Sequence, residues 1–172
     1  MLRRFTSLTL VLFIVLSFVA CFKKKGSEQP VTTGFSCDVE VKYQEMDVKG
    51  HLTRSSAGTL VFDINEPKSL NGLSMQWNGD TITLKLHGIS FGVDPAAIPQ
   101  SALGQCILGV LDGALGTHDG STVTDEGLVT KGSSASGEFE IVSDPETGNL
   151  LKLRMPSAGL TATFLNFKLT SA

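Results

Sequence analysis

The chain lacks most of the features that name a function. It has one tryptophan, one tyrosine and three histidines, and its 14 Lys and Arg stand against 17 Asp and Glu, a net charge of −3. That balance leaves no basic face for nucleic acid. No unbroken apolar run reaches the roughly 20 residues that cross a bilayer. His51, His87 and His118 show no spacing of four, and Cys21, Cys37 and Cys106 lie too far apart in sequence for a zinc motif, so no metal is expected. The stretch "GSSASG" at 132–137 misses the Gly-x-Ser-x-Gly register of a nucleophile elbow, and no glycine fingerprint for nucleotide phosphate follows a strand. Asp144 and Glu146 are close, but Asp144-Pro145-Glu146-Thr147-Gly148-Asn149 is built of the residues that close hairpins, and it reads as a turn. The chain is therefore expected to be no enzyme and to carry no cofactor.

What is present begins at the N-terminus. Arg3 and Arg4 precede Phe5 to Ala20, a short uncharged and mostly apolar run, which is the layout of a secretory signal peptide. Phe18-Val19-Ala20-Cys21 then resembles a bacterial lipobox, although Phe18 stands where Leu, Val or Ile is usual. The thiol suits lipidation because thiolate is the nucleophile that captures the lipid carbon. The expected organisation is a signal peptide over 1–20, lipidated Cys21 and a polar tether over 21–34, and one domain over 35–172. Lys23, Lys24 and Lys25 fall at headgroup level, each adding about 1 kcal/mol of attraction to anionic lipid. Cleavage would leave 12 Lys and Arg against 17 Asp and Glu, a net charge of −5, on an exported protein anchored to the extracytoplasmic face of the membrane.

From Phe35 the pattern has period two. Phe35, Cys37, Val39, Val41 and Tyr43 alternate with polar residues, as do Leu60, Phe62 and Ile64, then Leu73, Met75 and Trp77, then Ile82, Leu84 and Leu86. Each run reads as a half-buried strand, and Asn78-Gly79-Asp80 is a strong hairpin signal. Short connections imply antiparallel neighbours. Between Pro99 and Leu115 the spacing changes to three and four, at Leu103, Cys106, Ile107, Val110, Leu111 and Ala114, which predicts an amphipathic helix. Gly104, Gly109 and Gly113 each weaken it by up to about 1 kcal/mol, so packing on the sheet must supply its stability. A polar, glycine-rich connection is expected over 116–136, with strands resuming at Glu138–Val142, Leu150–Met155 and Leu160–Lys168. His51 reads as lying on a polar strand edge, and His87 on the outward face of its strand.

The fold class is thus α+β, mostly β: a curved antiparallel sheet, or half-barrel, with one central helix on its concave face. One helix about 10 Å across cannot cover a sheet of nine or ten strands, so the apolar face must close as core or leave a groove. Phe62, Met75, Trp77, Leu84, Phe91 and Phe139 are the candidate lining of that groove, against the plain alternative that they are core. With Cys21 assigned to lipid, Cys37 and Cys106 remain as an even pair, either a disulfide pinning helix to sheet or two buried thiols.

The order of meander, helix and further strands, with "GTLVFDINEP" at 58–67, "DPETGNLLKLRM" at 144–155 and "LTATFLNFK" at 160–168, resembles the LolA-like lipoprotein superfamily. Within it the chain is most similar to small clostridial lipoproteins of the germination type. The resemblance implies a half-barrel that holds lipid, an acyl chain or another hydrophobic ligand in its concavity, or one that partners a cell-envelope protein such as a cell-wall amidase of spore germination. The long N-terminal helix of the carrier members has no counterpart in "SEQPVTTG" at 27–34.

Overall fold

The computed structural model describes residues 34–114 and 120–170; the expected signal peptide, Cys21, the tether and His118 lie outside the described residues. Among these, eleven strands form one antiparallel sheet. In chain order they are β1 (Phe35–Tyr43), β2 (Met46–Arg54), β3 (Leu60–Glu66), β4 (Ser74–Trp77), β5 (Ile82–Leu86), β6 (Ile89–Val93), β7 (Ser121–Thr124), β8 (Gly127–Ser134), β9 (Gly137–Ser143), β10 (Leu150–Met155) and β11 (Leu160–Leu169), with α1 (Leu103–Ala114) between β6 and β7. The spatial order is β6-β5-β4-β3-β2-β1-β11-β10-β9-β8-β7. Two meanders are joined where the first and last strands pair, Val39 opposite Phe164 and Val41 opposite Ala162. The outer strands β6 and β7 do not pair with each other, so the sheet stays open.

The sheet curls, and the reach of α1 shows it. At 1.5 Å per residue this helix of 12 residues is about 18 Å long. It nevertheless touches Trp77 on β4 through Gly104 and Phe139 on β9 through Gly113. Those strands are six positions apart in the sheet, about 29 Å at strand spacing if the sheet were flat. The two arms must therefore fold toward each other around the helix, as the half-barrel expectation requires.

The inward side chains follow the alternation. Phe35, Cys37, Val39 and Val41 of β1 are buried, as are Leu60, Phe62 and Ile64 of β3, and they form one core with Cys106, Ile107, Val110 and Leu111 of α1. Each fully buried large apolar side chain contributes about 1.5–3 kcal/mol. The Asn78 hairpin forms as expected, with Gly79 at φ +96° and Thr81 N–H donating to Asn78 Oδ1 at 3.0 Å. At Asp144 the turn is tied by N–H groups of Glu146 and Thr147 donating to Asp144 Oδ1 at 2.9 and 2.7 Å.

Four local expectations are corrected. The helix begins at Leu103, because Pro99–Ala102 form a separate turn in which Ala102 N–H donates to the Pro99 carbonyl. The polar connection over 116–136 contains β7 and all of β8; its glycines misled the pattern, since Gly132 is a strand residue whose missing side chain is replaced by the Phe139 ring. His51 lies on β2, an interior strand between β1 and β3. His87 is in the β5–β6 turn, at φ +47°.

Candidate functional site

Paired residues of neighbouring strands share a face, so the register assembles the concave surface row by row. Cys37, Leu52, Phe62, Met75, Leu84 and Phe91 form one continuous row from β1 to β6. Burial falls along it. Cys37, Leu52 and Phe62 are fully buried, Met75 and Leu84 are partly covered, and Phe91 is 50% exposed. The flanking row also ends open, with Leu86 36% and Ile89 69% exposed on paired positions.

The position of α1 explains the gradient. It is seated against the aromatic residues with no space to spare, since a Cβ on Gly104 would lie 1.9 Å from Trp77 Cζ2 and one on Gly113 would lie 2.9 Å from Phe139 Cε1. A related close approach occurs on the sheet at Gly50, where a Cβ would meet the Asp63 carbonyl oxygen at 2.2 Å and Phe62 Cε2 at 2.7 Å. Glycines that are poor for helix and strand are present because aromatic rings occupy their side-chain volume. Beyond Trp77 the cover thins: Ile82 of β5 is still buried, Leu84 and Val93 are partly covered, and the apolar floor opens at Leu86, Ile89 and Phe91 toward the β5–β6 turn.

The six candidate lining residues thus divide. Phe62, Met75, Leu84 and Phe91 are brought into one row and Trp77 stands beside them, while Phe139 lies on the opposite arm across the helix. Phe62, Trp77 and Phe139 are core; Met75 and Leu84 form the margin of the covered region; Phe91 alone of the six is half open. Leu86 and Ile89 belong to the open surface and were not on the expected list, although period two from Leu84 and Phe91 points to both.

Arg54 was also missed. Its guanidinium is 5% exposed, on the helix side of β2, and Nη2 donates to Asp112 Oδ1 of α1 at 2.6 Å. Among the described residues Nη1 has no hydrogen-bond partner, nor does Trp77 Nε1 two strands away. The alternation Val48, Gly50, Leu52, Arg54 carried the signal, since the fourth inward position is a charge.

Cys37 and Cys106 are both free thiols in the structure, and the disulfide pairing is not formed. Each has its own setting. Burial, aided by the charge of Asp38, pushes the Cys37 thiol up to about 12. Cys106 is likewise raised by burial, and its Sγ lies 3.6 Å from the Gln100 carbonyl.

The convex face is polar. A cavity of about 680 Å³ lies over β7–β9, lined by Thr122, Asp125, Glu126, Lys131 and Glu140 among others. Its Glu126 accepts from Arg154 at 2.7 Å and from Lys152 at 3.4 Å, which hold the carboxyl below the usual range, and Arg154 also donates to Glu140. A carboxylate held ionised in this way is poorly suited to give up a proton as a general acid. Asp38 is held low by the Asn166 amide and by His51, whose Nδ1 lies 2.9 Å away. Among the described residues no group of three or more His, Cys, Asp or Glu is placed to hold a metal ion, and no helix is long and apolar enough to cross a membrane.

No family model and no curated protein matches the chain. Solved structures do. An uncharacterised conserved protein from Thermus thermophilus matches with a TM-score of 0.54 at 14% identity, over 84% of this chain and 83% of that one. A LolA superfamily protein from Nitrosomonas europaea matches with a TM-score of 0.42 at 11% identity, over 83% of this chain and 88% of that one. The complex of the CwlD amidase with the GerS lipoprotein from Clostridioides difficile contains a match with a TM-score of 0.43 at 19% identity, over 77% of this chain and 79% of that one. At such identities what is shared is a fold, and this chain has the fold of the Thermus protein.

Proposed function

We propose that this protein is a membrane-tethered, extracytoplasmic binding module without catalytic activity, and that it takes an acyl chain or similar apolar ligand on the uncovered end of its concave face. The carrying observation is the gradient along one row, from buried Phe62 through Met75 and Leu84 to half-exposed Phe91, continued by Leu86 and Ile89. Exposed apolar residues that continue a core mark a binding surface, whereas isolated ones do not. The sequence of Arg3 to Cys21 supports export and lipidation at Cys21, with the Lys23–Lys25 run at the headgroups.

The groove in this reading is narrower than the six candidate residues imply, because the contacts of Gly104 and Gly113 leave no room between helix and aromatics. Native mass spectrometry of the purified protein tests it. A stoichiometric lipid adduct that is lost in Phe91→Ser supports the reading; an adduct unchanged in that variant removes Phe91, and with it the open end, from the site.

A second reading is docking of a cell-envelope protein, such as a cell-wall enzyme, on the same surface. The shallowness of the open strip favours it, since only Leu86, Ile89 and Phe91 are well exposed there. Lipid-free protein that binds a candidate enzyme, and loses that binding in Ile89→Ser, would select this reading over the first.

A further inference from the structure

We propose that the outer edge of β6 pairs with the β6 edge of a second copy of this chain, joining two sheets about a twofold axis at Phe91. The pairing goes beyond the binding role and does not depend on it, because it rests on backbone chemistry.

β6 ends the sheet, and among the described residues no strand lies on its outer side. Natural edge strands are protected by charge, proline, bulges or extreme shortness. Ile89-Ser90-Phe91-Gly92-Val93 has no charge and no proline, and its ladder with β5 is unbroken from Ile89 to Val93. Asp94 and Pro95 follow β6 directly, but in the register below they fall opposite Gly88 and His87 of the second copy, outside the paired strand; the opposite edge, β7, has four residues and runs into Asp125 and Glu126.

The β5–β6 turn sets which backbone groups are free. His87 and Gly88 have φ of +47° and +84°, as a two-residue type I′ turn requires. Leu86 and Ile89 then form the hydrogen-bonded pair that flanks it, and the phase alternates along the strand. Ile89, Phe91 and Val93 turn their N–H and C=O groups toward β5, and Ser90 and Gly92 turn theirs outward.

This phase fits a second β6 in one antiparallel register. Ser90 faces the second copy's Gly92 as a hydrogen-bonded pair, and Gly92 faces its Ser90. Phe91 then meets Phe91 at the close, non-hydrogen-bonded position on the axis, where aromatic pairs are favourable. Ile89 falls opposite Val93, so every concave-face pair is apolar and every convex-face pair is small. No like charges are brought together within the strand. A twofold interface needs a patch complementary to itself, and this strand provides one. The two open apolar ends would join as one continuous floor, and a membrane tether would hold the copies in one plane.

The two substitutions that test this differ in backbone effect. Ser90→Pro removes an outward N–H and leaves the β5–β6 ladder intact, because the N–H of residue 90 points away from β5. Sedimentation of the full chain in density-matched detergent is expected to show a dimer at high micromolar concentration, weakened on the order of tenfold or more by Ser90→Pro. A monomeric wild type, or a Ser90→Pro variant that folds and dimerises as well as wild type, overturns the proposal. Phe91→Cys keeps the test decisive should the proline variant misfold. At the axis its Cα separation falls within disulfide range. Mild oxidation should give a covalent dimer many times faster than for Val123→Cys on the opposite edge; equal rates overturn the proposal.

Discussion

The two ends of the β1–β6 meander are made of the same kind of strand but differ in what lies over them. At β1–β4, α1 covers the apolar face, and Phe35, Leu52, Leu60, Phe62 and Trp77 are all buried; at β5–β6 Ile82 is still buried, but toward the turn the same alternation runs out from under the cover and leaves Leu86, Ile89 and Phe91 exposed. Strand pattern alone therefore does not separate core from surface here. What separates them is the length of one helix of 12 residues and where its glycines allow it to sit.

The sharpest test is to break the covered region. Trp77→Ala and Phe62→Ala should each cost about 3–5 kcal/mol in urea unfolding, the range for emptying a buried aromatic site. Gly104→Ala should also destabilise strongly, by about 3 kcal/mol, since its Cβ would sit 1.9 Å from the buried Trp77 ring and the ring or the helix must shift to admit it. The pair should be markedly non-additive: with Trp77 already truncated, the added methyl meets space. An additive double variant would show that helix and ring do not meet as described.

The next effect concerns Arg54, the charge buried under the helix. Asp112→Ala removes the partner of the buried Arg54 guanidinium and should cost about 2–3 kcal/mol, less than for a fully buried pair because the Asp112 side chain is half exposed. Arg54→Met in the Asp112→Ala background should recover part of that loss. Stability unchanged by Asp112→Ala would mean that helix and sheet are held by apolar packing alone.

A smaller effect is set by pH. The Cys37 thiol is pushed up to about 12 by burial, against an ordinary value of 9.0. An acid whose folded value is raised contributes stability that is complete below its unfolded value and is lost as pH rises through the folded value. The urea midpoint should therefore hold from pH 6 to 8 as far as Cys37 is concerned, and fall progressively above about pH 9. Cys37→Ala should flatten that alkaline slope, while losing some packing at every pH. Alkylation at pH 8 should leave Cys37 unmodified until the protein is unfolded.

The fold was legible in sequence wherever alternation was uninterrupted. β1, β3, β5 and β9–β11 follow period two, and the hairpin at Asn78 and the turn at Asp144 follow from residue chemistry. It failed where glycine stood in for packing: Gly50 in β2 and Gly132 in β8 look like breaks, yet the first makes room for the Asp63 carbonyl and the Phe62 ring and the second for the Phe139 ring. A single sequence records a glycine but not the ring from another strand that requires it. The concave row was legible in its residue types, since Phe62, Met75, Leu84 and Phe91 do share it. Which of them are open was not, because exposure depends on the end of a helix read as beginning at Pro99 that begins at Leu103.

The smallest stability change carries the most functional weight. If β5–β6 is surface rather than core, Phe91→Ser and Ile89→Ser should each alter the urea midpoint by less than about 0.5 kcal/mol, as exposed substitutions do. They should nevertheless reduce the fluorescence of a bound apolar dye, because they remove the most exposed part of the uncovered floor. Phe62→Ala should do the reverse, costing stability while raising dye binding as the core loosens. Opposite signs in stability and dye binding at two positions of one cross-strand row would be hard to obtain unless the helix edge divides that row between them. A loss of about 2 kcal/mol or more on Phe91→Ser would put that residue inside the core and move the boundary of the exposed apolar strip outward to Leu86 and Ile89.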